Sequence, residues 1–155
     1  MSVVRILLGV VLGISGGWGQ EVPEKSYTRA MQRITPPSVT PVGPYSPAVR
    51  VGPWLFISGQ IALKPDGSIE KSSIEQETEQ VLANLRVILE AAGAKPEQMV
   101  KVTIFLTDMA FFAQVNSVYE RFFPAGAYPA RETVAVAALP RGARLEISAI
   151  AYLGE

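Results

Sequence analysis

Two residues in the C-terminal third of the chain are out of keeping with their surroundings. In "YPARETVAVAALPRGARLEISAIAYL", Tyr128 to Leu153, Arg131 heads one apolar alternating run and Glu146 stands inside the next. A guanidinium offers two parallel N–H donors and grips a carboxylate or phosphate with more directional control than an ammonium. A carboxyl in a partly dry setting gives up or takes a proton near neutral pH. The pair therefore has the chemistry to hold a small acid and move a proton at it. Two blander readings compete at this level: an ordinary salt bridge from Arg131 to Glu146 or Glu132, and a solvated carboxylate on an exposed sheet face.

The composition narrows the remaining repertoire. The 155 residues contain no cysteine and no histidine, which excludes disulfides, thiolate nucleophiles, histidine-based triads, and His or Cys metal sites. Acidic residues nowhere show metal-ligand spacing. No glycine-rich phosphate loop lies outside the N-terminal segment, so a nucleotide cofactor has no support. Fourteen basic and fourteen acidic residues cancel, and no basic-aromatic stripe is evident, so nucleic acid is not an expected partner.

Other candidates are smaller groups. "SGQ" ends an apolar strand and offers the Ser58 hydroxyl and the Gly59 N–H as donors, with room for close approach; a plain strand-end turn is the alternative. Tyr45, in a proline-rich loop, is either a core anchor or a pocket phenol. Asn116 lies inside a helix, where asparagine is a weak helix former, so a hydrogen-bonding task competes with a surface position.

The elements that must carry these groups follow from periodicity. Five prolines between Thr35 and Pro47 make an extended loop. "AVRVGPWLFISGQIAL" reads as a hairpin turning at Gly52-Pro53. Ser73 caps a helix that runs to Ala92, with Gly93 at its C′ position and Val81, Leu82, Leu85, Ile88 and Leu89 on one face. "MVKVTIFLTD" alternates Val100, Val102, Ile104 and Leu106 as a strand. Asp108 caps a second helix, Phe111 to Phe123, with Phe112, Val115, Tyr119 and Phe122 in one stripe. Strands over Thr133 to Ala137 and Leu145 to Leu153 close the chain. On the last, Glu146, Ser148, Ile150 and Tyr152 share one face. The expected architecture is α+β, a mixed sheet with both helices on one face, whose other face needs a partner and so suggests a homo-oligomer.

"MSVVRILLGVVLGISGGWGQ" has one basic residue, the apolar run Ile6 to Ile14, and the small-x-small triplet Gly17, Trp18, Gly19. This order reads as a signal peptide over residues 1–19, followed by a polar tether over 20–34 and a domain over 35–155. The product would be periplasmic or secreted, with no membrane association once the leader is removed. Alternatively, the true start is Met31 and the protein is cytoplasmic.

From about Ile34 to Tyr152 the chain resembles the RidA/YjgF family of enamine/imine deaminases, some of whose members carry an endoribonuclease label. The carriers are "GPYSPAV", "ISGQI", "ETEQVLANLRVILEAAG", "VKVTIFLTDM", "FAQVNSVYERFF", and "PAR" followed by "LP" and "LEI". The resemblance implies a homotrimer of chorismate-mutase-like subunits with sites between neighbours. It implies hydrolysis of 2-aminoacrylate and 2-iminopropanoate-type intermediates, small carboxylate-bearing imino or enamino acids, to 2-keto acids and ammonia without a cofactor. By position, Arg131 matches the residue that binds the substrate carboxylate and Glu146 the acid that activates water. Tyr45, Ser58, Gly59 and Asn116 match pocket residues, and Thr133 occupies a pocket position that is often cysteine. Glu132, Ser148 and Pro47 also depart from the pattern, and Glu132 would weaken the clamp if it turned inward. A keto-acid-binding protein without turnover and an endoribonuclease are the competing functions.

Overall fold

The computed structural model describes residues 31–154; the expected leader and most of the tether lie outside them. Among the described residues, six strands and two α-helices follow in the order β1 (Gln32–Ile34), β2 (Ala48–Val51), β3 (Trp54–Gln60), α1 (Ile74–Ala91), β4 (Met99–Leu106), α2 (Phe112–Tyr119), β5 (Ala130–Ala135) and β6 (Leu145–Tyr152). The strands form one mixed sheet in the order β1-β2-β3-β6-β4-β5. Only β4 and β5 run parallel, because α2 supplies the crossover that a parallel pair needs.

Local signals account for most of these elements. Gly52 takes a φ of 59° at the β2–β3 turn, where a side chain would be disfavoured. Ser73 accepts the Gln76 N–H at the start of α1, and Gly93 takes a φ of 71° just past its end. The inward face of α1, with Val81, Leu85, Ile88 and Leu89 fully buried, packs on Leu55, Ile104, Leu145 and Ile147. Each such side chain contributes about 1.5–3 kcal/mol through burial. Both helices lie on this face of the sheet, as expected.

Several boundaries differ from the sequence expectation, each for a physical reason. Strand β1 falls inside the expected tether; three residues with no alternation gave no strand signal, and β1 is specified by pairing with β2. Val100 is exposed while Met99 is buried, because the ladder to β6 shifts register between Met99 and Lys101 and turns Val100 outward. Asp108 accepts the Ala110 N–H, but what it caps is a short 3₁₀ turn, Met109–Phe111, leading into α2. Another 3₁₀ turn, Glu120–Phe122, replaces the expected last turn of that helix. Strand β5 starts at Ala130, three residues early, so that Arg131 lies within the sheet instead of on its approach.

Two polar contacts that the sequence did not reveal hold the site-bearing segments in place. Asn84, buried on α1, donates to the Ile61 and Leu63 carbonyls at 3.1 and 2.9 Å and pins the exit of β3. Glu77, with no solvent exposure, accepts from the backbone N–H and the Nε of Arg144, both at 2.7 Å. This fixes the start of β6 one residue before Leu145. Arg144→Ala removes the charged donor from a buried carboxylate, so a loss of about 3 kcal/mol is expected in chemical denaturation. Adding Glu77→Gln is expected to recover part of it, since a neutral amide still accepts the residue 144 N–H.

Candidate active site

The sheet divides the candidate residues into two groups. The first gathers where β3 breaks its pairing with β6. Ile57 pairs with Ala149 and Gln60 with Ile147, so Ser58 and Gly59 oppose Ser148 alone in a bulge. Bulges re-aim backbone and side chains, and this one lies against the acid. Ser58 donates its hydroxyl to the Ser46 carbonyl at 2.8 Å, and its N–H bonds the Pro47 carbonyl at 2.9 Å, which ties the proline-rich loop to the bulge. Tyr45, whose hydroxyl accepts the Val42 N–H, lines a small depression together with Pro47, Gly59, Gln60 and Asn84.

The Glu146 side chain packs against Gly59. A Cβ built on that glycine would stand 2.0 Å from Glu146 Oε1 and 2.9 Å from its Cγ. Gly59 is thus a glycine because the carboxylate occupies the space a side chain would need. Glu146 is half-buried and takes part in no ion pair among the described residues. Desolvation raises its pKa above the ordinary 4.5, the direction expected for a carboxyl stripped of water without a compensating cation.

Gly59→Ala follows as a test of this packing. The clash falls on the end of a mobile side chain, so folding is expected to survive while Glu146 swings out of place. The expected outcome is an unchanged circular dichroism spectrum with a turnover loss approaching that of removing the acid.

The second group stands on the helix side of the sheet, at its β5 edge. Arg131 pairs with Val102 across the parallel ladder, whereas Glu146 pairs with Phe105. Those two β4 positions are three apart and point to opposite faces. Arg131 Nη1 donates to Asn116 Oδ1 on α2 at 2.8 Å. Its guanidinium carbon lies 4.9 Å from the Tyr119 ring centroid and 5.7 Å from that of Phe112. Thr133 follows on the same face, its hydroxyl enclosed without a hydrogen-bond partner among the described residues. Asn116 thus accepts a hydrogen bond from Arg131, a contact its sequence position did not specify.

Glu132 does not compete for the clamp. It points to the opposite face, where it bonds Lys101 and Thr103; these two donors, Lys101 first, hold its carboxyl below the ordinary value. The feared inward turn is absent, because strand alternation sends neighbouring side chains to opposite sides. Neither salt-bridge reading of Arg131, to Glu132 or to Glu146, describes the structure.

Phe112 and Tyr119 were expected only as members of an apolar stripe. Val115, Tyr119 and Phe122 are buried in that stripe, but Phe112 is 36% exposed and turns towards Arg131. The available signal was that Phe112, Asn116 and Tyr119 recur at helical spacing on one face of α2, with the asparagine at their centre.

Known proteins are similar to this chain over most of its described length. The profile of the family described as Endoribonuclease L-PSP matches residues 35–153. A RutC family protein of Pyrococcus horikoshii is 48% identical over 113 residues, which cover 72% of this chain and 89% of that protein. A protein of Mus musculus named 2-iminobutanoate/2-iminopropanoate deaminase is 46% identical over 114 residues, covering 73% of this chain and 84% of its own length. The crystal structure of the yjgF gene product of E. coli superposes with a TM-score of 0.73 at 38% identity, covering 78% of this chain and 98% of that one. With sequence profile, relatives and fold in agreement, the chain belongs to the Endoribonuclease L-PSP family, the group that includes the RutC, RidA and YjgF proteins.

Proposed function

We propose that this protein hydrolyses small 2-imino and 2-enamino acids to 2-keto acids and ammonia, without a cofactor. The observation that carries the reading is Glu146, a desolvated carboxylate with a raised pKa and no ion-pair partner among the described residues, seated against a glycine that leaves it room. The naming of the mouse relative as an imino-acid deaminase supports the same assignment.

In the proposed reaction Arg131 holds the substrate carboxylate, and Glu146 takes a proton from water as its oxygen bonds to the iminium carbon. The carbinolamine receives that proton on nitrogen. Loss of the hydroxyl proton to Glu146 then forms the carbonyl as the C–N bond breaks, and ammonia leaves with the proton as ammonium. Glu146 ends as it began, a carboxylate. An enamine enters the same path after tautomerising to the imine.

One chain does not place both groups on one substrate, since they occupy opposite faces of the sheet. We therefore propose a homotrimer in which Arg131 of one copy faces Glu146 of the next. The helix-free sheet face supports this: Trp54, Phe56 and Tyr152 are 42%, 46% and 39% exposed there, an apolar surface of the kind that marks an interface. Light scattering is expected to give three times the chain mass, and a stable monomer at micromolar concentration would remove the composite site. The activity is tested by keto-acid release from freshly generated 2-iminopropanoate, beside an RNA-cleavage control suggested by the family's description. Keto acid without RNA products supports the deaminase; RNA products alone overturn it.

A further inference from the structure

We propose that Tyr119 is a positioning residue for Arg131, fixing the plane of its guanidinium through the face of the phenol ring. The inference rests on the reading of Arg131 as a carboxylate clamp and concerns what makes that clamp directional. An arginine on an edge strand is flexible, and a fork useful for recognition must be held in one plane before the ligand arrives. Asn116 fixes one corner through Nη1 at 2.8 Å. A single hydrogen bond still leaves the plane free to rotate about it. The Tyr119 ring, 4.9 Å from the guanidinium carbon, removes that freedom.

Tyr119 is itself immobile: it is 5% exposed, and its ring lies 4.9 Å from that of Phe123, which makes an edge contact with Phe122 in turn. Its hydroxyl is enclosed and makes no hydrogen bond among the described residues, so the contribution to Arg131 is carried by the ring and not by the oxygen. Burial, against the opposing pull of Arg131, pushes the phenol up to about 12, so it stays neutral and cannot form an ion pair with the guanidinium at physiological pH. Phe112 on the adjoining turn adds a second, more exposed ring.

The experiment is a pyruvate titration of the full chain followed by NMR. Tyr119→Leu is expected to weaken binding about 5–20-fold, as for a partly desolvated cation–π contact. Tyr119→Phe, which keeps the ring and drops the idle hydroxyl, is expected to restore affinity to within about twofold of the parent. In an Arg131→Gln background the Leu substitution is expected to change nothing further, because the group it positioned is gone. Should Tyr119→Leu lose its fold by circular dichroism, Tyr119→Met is read in its place. Parent-like affinity in the Leu or Met variant overturns the proposal, as does a loss that persists in the Arg131→Gln background. A parent that does not bind pyruvate, or an Arg131→Gln protein that binds it as tightly as the parent, overturns instead the carboxylate reading on which the proposal stands.

Discussion

Glu146→Gln is expected to lower the turnover of 2-iminopropanoate about 10²–10⁴-fold, the usual contribution of a general acid or base, while pyruvate affinity stays close to that of the parent. Glutamine preserves the shape that fills the space over Gly59, so the loss would report on proton transfer and not on packing. The pH profile adds an independent check. Burial disfavours the charged carboxylate and raises the Glu146 pKa, so the base form is lost as pH falls through a value above the ordinary 4.5. The acid limb of kcat is expected there, and the residual activity of the Gln variant is expected to lack it. If Glu146→Gln turned over normally with the oligomer intact, water activation would reside elsewhere, and Tyr45 on the loop beside Gly59 would be the next group to replace.

How much of this was legible before the fold was known depended on whether the determinant was local. The two caps of α1 lie within a few residues of the backbone groups they satisfy, and Ser73 and Gly93 declared them. Alternation in β6 correctly assigned Glu146 and Tyr152 to the face away from Leu145 and Ile147. Pairing was a different matter. The bulges at Ser58-Gly59 and at Val100 exist only relative to β6, and β1 only relative to β2. Glu77 and Arg144 are 67 residues apart, and each alone looks like a surface charge.

The candidate site shows the same division. Arg131 and Glu146 stood out because each was a charge in an apolar run, but their separation onto opposite faces follows from the parallel β4–β5 ladder, which no local pattern encodes. Glu132 illustrates the reverse case: its proximity to Arg131 along the chain suggested interference, yet strand geometry keeps the two apart. The uncovered sheet face already suggested a homo-oligomer from the sequence, while the placement of Arg131 and Glu146 of one chain on opposite faces became visible only in the topology.

Arg131→Lys is expected to raise KM and lower kcat together, reducing kcat/KM for carboxylate substrates about 10–100-fold, the value of a charge-assisted hydrogen bond. Lysine keeps the positive charge, so a purely electrostatic role would be largely rescued. It lacks the planar fork, however, and cannot simultaneously bond Asn116 Oδ1, stand over the Tyr119 ring and present two parallel donors to a carboxylate. A substrate held by one rotatable contact is bound less tightly and is also misaligned with the attacking water, which is why both constants move. The control is an imine without a carboxylate: its slow hydrolysis is expected to be indifferent to the substitution, because the fork has nothing to grip. Equal losses on charged and uncharged imines would show that Arg131 supports the oligomer or the β5 edge and not the ligand, and the carboxylate clamp would have to be sought among the lysines instead.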